Sequence, residues 1–102
     1  MSIRTATLNG VAQIEIARPE RKNALTEAMY AAMADAIDAA GTDDAVRAVR
    51  ICGQPGVFTA GNDLEDFVAR PPQNDEAPVF RFMRSLSLCE KPVVAAVSGA
   101  AI

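Results

Sequence analysis

The hydrophobic and polar positions near the start of the chain predict a β-hairpin. Residues Ile3–Leu8 alternate weakly, and Asn9-Gly10 follows, a dipeptide typical of a tight hairpin turn. Apolar residues then recur up to about Ala17, which predicts a second strand. Arg18-Pro19 interrupts this pattern, because a residue before proline is pushed out of the helical region. Residues 18–24 are therefore predicted to form a polar, basic loop.

The next segment carries the helical spacing of a buried stripe. Thr26 can cap its start and Gly41 ends it. The apolar positions fall at i, i+3, i+4 and i+7, with the acidic residues away from them. They are Leu25, Ala28, Met29, Ala32, Met33, Ala36, Ile37 and Ala40. We interpret this stripe as core packing rather than as a cofactor surface.

The rest of the chain alternates between short extended and helical patterns. We first predict a strand at about 46–52, a turn at 54–56 and a short extended piece at 57–58. A short helix starting near Asp63 and a polar loop bracketed by prolines at 71–78 follow. A helix up to about Leu88 and a strand at 93–97 complete the prediction. The last strand is apolar throughout, as expected of a strand buried on both faces. Strands alternating with helices predict an α/β layer with parallel strands.

Length, composition and charge narrow the classes of function. The chain has 102 residues, enough for one domain, and a net charge of −3, which weighs against nucleic acid or an anionic membrane as a partner. It has no histidine, which removes Ser-His-Asp and Cys-His catalysis and nearly every catalytic zinc site. Cys52 and Cys89 lack metal-binding spacing and are read as free, partly buried thiols. With no apolar run of membrane length and no visible signal peptide, we expect a cytoplasmic protein that binds no metal.

One turn has the composition of an anion-binding site. Ala60-Gly61-Asn62-Asp63 follows an extended piece and opens a helix, and its small residues permit close approach to the main chain. Main-chain N–H groups in such a turn could hold a developing oxyanion without histidine. A plain glycine turn capped by Asp63 explains the same residues. The basic loop with Arg18, Arg21 and Lys22 is either solvated or a phosphate contact. The neighbouring acids Glu65-Asp66 fit a helix start.

Three segments carry recognisable motifs: residues 18–25 (RPERKNAL), residues 56–64 (GVFTAGNDL) and residues 91–101 (KPVVAAVSGAA). In this order they resemble the "RP…NAL" loop, the "FxAG-x-D-[LI]" segment and the "KPVIAAVNGxAxGGG" strand and turn of the crotonase (enoyl-CoA hydratase/isomerase) family. Each motif alone is weak, but their order and separation are specific. The resemblance implies a fold that is the N-terminal part of a crotonase-like (ClpP/crotonase) spiral of ββα units. Residues 1–102 would then be a partial crotonase-like domain cut in mid-architecture.

The resemblance also implies the site. The main-chain N–H of Asn62 would be one of two oxyanion-hole donors to the thioester carbonyl of an acyl-CoA. Ala60, Gly61, Asp63 and Leu64 would line the acyl-CoA channel. Ala24 would contact the adenine end through its main chain, with Arg21 or Lys22 near the phosphates. No cofactor is expected, since coenzyme A is part of the substrate.

The resemblance leaves the activity of this chain open. The second oxyanion glycine is expected about two residues past Ile102, and the catalytic carboxylates further on. Asn62 stands where hydratases often have alanine, which favours the isomerase-like branch slightly. We therefore expect either hydration or a double-bond shift of enoyl-CoA thioesters through a thioester enolate, chemistry of the fatty-acid degradation type. The alternatives are a non-catalytic crotonase fragment and a small α/β binding module with an anion site at a helix start. Family members of full length would form trimers or hexamers.

Overall fold

The structure is a computed structural model that describes residues 2–102. Its elements follow the predicted order, with the extended piece at 57–58 present as a short strand and one further short strand near the end of the chain. They are β1 (Ile3–Leu8), β2 (Val11–Ile16), a 3₁₀ turn (Pro19–Arg21), α1 (Glu27–Gly41), β3 (Ala48–Cys52), β4 (Val57–Thr59), α2 (Leu64–Ala69), α3 (Pro78–Leu88), β5 (Val93–Ala96) and β6 (Ala100–Ala101). The predicted hairpin, the three helices and the strands near 46–52 and 93–97 are therefore confirmed.

A four-stranded sheet forms the centre of the fold. Its strand order is β1-β2-β3-β5, with β1 antiparallel to β2 and the other two pairs parallel. The hairpin turns through Asn9 and Gly10, whose φ angles are 53° and 81°. Two consecutive positive φ angles are what a type I′ hairpin turn requires. The predicted α/β arrangement with parallel strands is thus confirmed.

The core lies between this sheet and helix α1, against which α3 packs. The stripe predicted for α1 supplies most of its helical side, with Met29, Met33 and Ile37 almost fully buried. Ala28, a predicted member of the stripe, is exposed, whereas Ala34, outside the predicted stripe, is fully buried. The Thr26 hydroxyl accepts a hydrogen bond from the Met29 N–H and caps the helix as predicted. The strands contribute the alternate residues that face α1, among them Ile14 and Val49.

The prediction that the strand at 93–97 is buried on both faces is wrong for the described residues. β5 lies at the edge of the sheet, beside β3 only. Val94 and Val97 are 56% and 54% exposed. The apolar run alone could not reveal this, because a continuous apolar pattern reports what a strand can bury and not what covers it.

A second, two-stranded sheet joins β4 to β6 in parallel. It depends on close contact between two glycines, because a Cβ added at Gly99 would lie 2.0 Å from the Gly56 carbonyl oxygen. Gly99 also has a φ of 75°, which disfavours other residues. This contact holds residues 99–102 beside the segment that leads into α2, and Ile102 donates its N–H to the Thr59 carbonyl at 3.0 Å.

The described part of the chain shows neither a membrane-spanning helix nor a cluster of metal-ligating side chains. Within residues 2–102, no helix combines the length and the apolar character needed to cross a membrane. No group of three or more metal-ligating side chains is found within the same range. Cys52 is buried and Cys89 is half-buried, and both are free thiols as predicted.

Candidate functional site

Three connecting segments meet where the parallel strands end. The loop 17–26 follows β2, residues 53–63 follow β3, and residues 97–102 follow β5. The carboxyl ends of parallel strands lie at one edge of a sheet, where α/β proteins commonly bind ligands. The two motifs that the sequence analysis singled out, residues 18–25 and 56–64, are therefore neighbours although they are far apart in sequence.

Asn23 anchors the first segment from inside. Its side chain is fully buried, and its Nδ2 donates to the carbonyls of Ile16 at 3.0 Å and Phe58 at 3.1 Å. Its Oδ1 accepts the Arg18 N–H at 2.7 Å. The Asn23 carbonyl in turn accepts the Thr59 hydroxyl at 2.8 Å. The loop is thus fixed to the end of β2 and to β4 by one amide.

Main-chain hydrogen bonds then join the loop to the turn that precedes α2. Ala60 donates its N–H to the Lys22 carbonyl at 3.1 Å, and Leu25 donates to the Gly61 carbonyl at 2.8 Å. Asp63 donates to the Leu25 carbonyl, also at 2.8 Å. Leu25 therefore pairs in parallel with the residue between its two partners, which is residue 62.

This pairing decides the direction of the Asn62 main chain. In a parallel pair, one residue forms hydrogen bonds to the two neighbours of the residue opposite it, and that opposite residue directs its own N–H and C=O away. Here Leu25 forms the two hydrogen bonds, and Asn62 is the residue opposite. None of the hydrogen bonds formed among residues 2–102 uses the Asn62 N–H. Gly61, with a φ of 93°, provides the backbone conformation before it. The turn thus presents one unengaged main-chain donor.

Asp63 is a buried carboxylate with several donors. It is 5% exposed, and its Oδ1 accepts the Asp66 N–H at 2.9 Å, which caps α2. Its Oδ2 accepts Nη1 of Arg18 at 2.8 Å, and Nη2 of Arg21 lies 3.8 Å away. The hydrogen bond from the Asp66 N–H, followed by the one from Arg18, holds the pKa of Asp63 below its ordinary value. The capping role predicted for this residue is confirmed.

Asp66 has a second role that sequence reasoning missed. We interpreted it as an acid at a helix start, yet its Oδ2 accepts the Glu27 N–H of α1 at 2.7 Å. Its Oδ1 accepts Arg70 at 2.8 Å. The carboxylate therefore ties the starts of α1 and α2 together. Only the tertiary structure brings these two helix ends together, so no local sequence signal identifies this contact.

A cavity of about 250 Å³ opens beside Asn62. Helices α1, α2 and α3 and the loop between the last two surround it. Its walls include Leu25, Phe67 and Val79 on the apolar side and Tyr30 and Asn62 on the polar side. The Tyr30 hydroxyl donates to Oδ1 of Asn62. Burial raises the pKa of Tyr30 above 10.0, so the hydroxyl carries its proton at neutral pH.

The other candidate residues lie around this cavity in different ways. Asn62 and Asp63 are among its lining residues, whereas Ala60, Gly61 and Leu64 lie outside the lining. The remaining three lie in the first loop. The Ala24 carbonyl accepts Arg18 at 3.0 Å, Arg21 is half-exposed beside Asp63 and Glu65, and Lys22 is exposed.

Comparisons with known proteins agree on one family. A sequence model described as enoyl-CoA hydratase/isomerase matches residues 6–102. The mitochondrial Delta(3,5)-Delta(2,4)-dienoyl-CoA isomerase of Rattus norvegicus is 30% identical over 112 residues, covering 96% of this chain and 34% of that protein. The chain therefore spans about a third of the length of this curated relative.

Solved structures show the same similarity in three dimensions. The structure of Pseudomonas aeruginosa OdaA is 46% identical with a TM-score of 0.92, covering 96% of this chain and 40% of that one. An enoyl-CoA hydratase/isomerase from Pseudoalteromonas atlantica T6c is 41% identical with a TM-score of 0.87, covering 95% of this chain and 39% of that one. The implied fold, part of a crotonase-like domain, is thus confirmed.

Proposed function

Because the chain belongs to the enoyl-CoA hydratase/isomerase family, we propose that it contributes an oxyanion-hole donor to a site for enoyl-CoA thioesters. In this proposal the Asn62 N–H donates to the thioester carbonyl, and the cavity beside it takes the acyl group. The observation that carries the proposal is the unengaged N–H of Asn62, a residue that lines that cavity. The reaction would be hydration or a double-bond shift.

The proposed chemistry needs a donor more than it needs a reactive side chain. Removal of a proton next to a thioester carbonyl, as in a double-bond shift, or addition of water to the conjugated double bond, as in hydration, places negative charge on the carbonyl oxygen. A fixed N–H directed at that oxygen stabilises the charge as it develops. The Asn62 N–H is held in direction by the hydrogen bonds on either side of it, from Leu25 to the Gly61 carbonyl and from Asp63 to the Leu25 carbonyl. It therefore needs no reorganisation when charge develops.

The loop 18–25 supports a proposed role at the other end of the substrate. Arg21 is half-exposed and Lys22 exposed, so both cations can reach a phosphate group of coenzyme A. The Ala24 main chain would contact the adenine. Coenzyme A would enter as part of the substrate, with no further cofactor. Assembly into trimers or hexamers and a cytoplasmic location belong to the same proposal.

The experiment compares two substitutions at one position in the protein that carries this sequence, assayed for turnover of crotonyl-CoA for hydration and of a 3-enoyl-CoA for the double-bond shift. Asn62→Ala keeps the N–H and should retain activity within about tenfold. Asn62→Pro removes the N–H and should lower turnover by at least ~10²-fold, the usual effect of losing one such donor. Equal damage by both substitutions would assign the role to the side chain instead.

A second proline separates loss of the donor from distortion of the chain. Leu64 is the first residue of α2, where proline is tolerated, and Asp63 before it has φ −69° and ψ 113°, as a residue before proline prefers. Because Leu64 lies outside the cavity lining, contrary to its predicted place in the acyl-CoA channel, Leu64→Pro should keep turnover within about tenfold. Full activity of a folded Asn62→Pro protein would show that the carbonyl binds elsewhere.

A further inference from the structure

Arg18 connects the two segments that the proposed function places at opposite ends of the substrate. Its Nη1 donates to Oδ2 of Asp63 at 2.8 Å and to the Ala24 carbonyl at 3.0 Å. Asp63 directly follows Asn62, the proposed donor to the thioester carbonyl. Ala24 lies in the loop assigned to the adenine end. A single nitrogen atom thus joins the turn before α2 to that loop.

This connection is largely shielded from water. The side chains of Arg18 and Asp63 are 18% and 5% exposed. Charge-assisted hydrogen bonds are strong when they are desolvated, whereas exposed ion pairs contribute little. The second oxygen of Asp63 is held by the Asp66 N–H at 2.9 Å. The carboxylate is therefore fixed at both oxygens and cannot follow Arg18 if the guanidinium moves.

The two segments do not need Arg18 to stay together. The main-chain bonds of Leu25 to Gly61 and Asp63, and the buried amide of Asn23, already attach them. What Arg18 adds is a defined distance between the Ala24 carbonyl and the residue after the donor. Loss of Arg18 should therefore alter geometry at the donor while leaving the fold intact.

We propose that Arg18 is a positioning residue, which sets the Asn62 N–H relative to loop 18–25 so that the thioester carbonyl meets its donor when the nucleotide is held by the loop. The role rests on the proposed function. Arg18 itself touches no part of the substrate in this assignment. It acts through Asp63 at one end and Ala24 at the other.

The test measures what the acyl group adds to binding. Kd values for free coenzyme A and for butyryl-CoA, a saturated thioester, are determined by calorimetry for the protein that carries this sequence and for its variants. The Kd for coenzyme A divided by the Kd for butyryl-CoA reports how much the acyl part, including its carbonyl, adds to binding. Because one hydrogen bond to the carbonyl is worth up to about tenfold in affinity, Arg18→Met should lower this ratio by up to about tenfold.

The control removes an arginine that is also paired with carboxylates, but with exposed ones. Arg81 of α3 binds the carboxylates of Asp35 and Asp38 on α1, away from the cavity. Arg81→Met should leave the ratio unchanged. Arg18→Lys, which keeps the charge but not the planar guanidinium, should restore part of the ratio.

A second variant keeps the test decisive if Arg18→Met does not fold. Asp63→Asn retains an oxygen that can cap α2 but loses the charge that binds Arg18, and it should lower the ratio in the same direction. An unchanged ratio in a folded variant, whatever its melting temperature, would overturn the positioning role alone. Failure of the wild-type protein that carries this sequence to bind either ligand would contradict the proposed function, and the positioning role with it.

Discussion

Replacing Asn23 by alanine should destabilise the fold more than its position in a loop suggests. The side chain is 0% exposed and bonds the Arg18 N–H and the carbonyls of Ile16 and Phe58. After truncation the Ile16 carbonyl keeps one partner, the Gln54 side chain at 3.2 Å. The Arg18 N–H and the Phe58 carbonyl lose their side-chain partner. Asn23→Ala therefore leaves two partly buried main-chain groups without a side-chain hydrogen-bond partner.

The expected loss of stability follows from these contacts. A buried polar group left without a partner costs about 1–3 kcal/mol, so two of them cost about 2–6 kcal/mol. Because these two hydrogen bonds are only partly buried, we expect about 3 kcal/mol. Asn23 also has a φ of 58°, and alanine in this left-handed region costs about 1 kcal/mol more. The free energy of unfolding should fall by about 4 kcal/mol, a large part of the ~5–15 kcal/mol that stabilises a typical domain.

Two further variants separate these contributions in urea unfolding followed by circular dichroism. Asn9 has a φ of 53° but is exposed in the hairpin turn, so Asn9→Ala should cost only about 1 kcal/mol. Asn23→Gly removes the backbone strain but not the lost hydrogen bonds, and should cost about 3 kcal/mol. If Asn23→Ala costs no more than Asn9→Ala, the buried amide contributes nothing and the reasoning is refuted.

Three other outcomes are expected. Folding lowers the pKa of Asp63, so its carboxylate stabilises the fold above the ordinary value of 3.8. This stabilisation is lost as the pH falls through the pKa of the folded state. The acid-unfolding profile of Asp63→Asn should lack that loss. Gly99→Ala should lower the melting temperature by several degrees, because the added Cβ would lie 2.0 Å from the Gly56 carbonyl oxygen. Gly56→Ala should lower it less, because that Cβ has no atom within 4 Å and only the φ of 85° is unfavourable. Residues 1–102 should self-associate, because apolar side chains such as Val94 and Val97 are exposed, and light scattering should show particles larger than a monomer. A uniform monomer that binds no hydrophobic dye would contradict this.

Local patterns predicted most of the elements because the responsible signals are short-range. Asn9-Gly10 specifies a turn by its own φ angles, and Thr26 caps α1 within one helical turn. The pairing of β4 with β6 could not be predicted in this way. β6 comprises only Ala100 and Ala101, and it forms because Gly99 permits contact with Gly56, far away in sequence.

The site was predictable as a set of segments but not as a network. The turn at 60–63 could be recognised from its small residues, and the loop at 18–25 from its basic residues and proline. The contacts between them depend on Asn23, Arg18 and Asp66, polar residues whose types are common in solvated loops. Burial makes these side chains important, and burial is a tertiary property that their spacing does not encode.

A donor supplied by the main chain changes where the proposed site is vulnerable. The Asn62 N–H exists with any residue except proline, so the identity of that side chain is not constrained by the proposed chemistry. The direction of the N–H is constrained, and it depends on the hydrogen bonds of Leu25, on the φ of 93° at Gly61 and on the buried groups beneath the turn. Substitutions at Asn23 or Arg18, which do not touch the substrate in this proposal, should therefore damage binding more than Asn62→Ala. A site whose sensitivity lies in its supporting loops is what electrostatic stabilisation by a fixed main-chain donor requires.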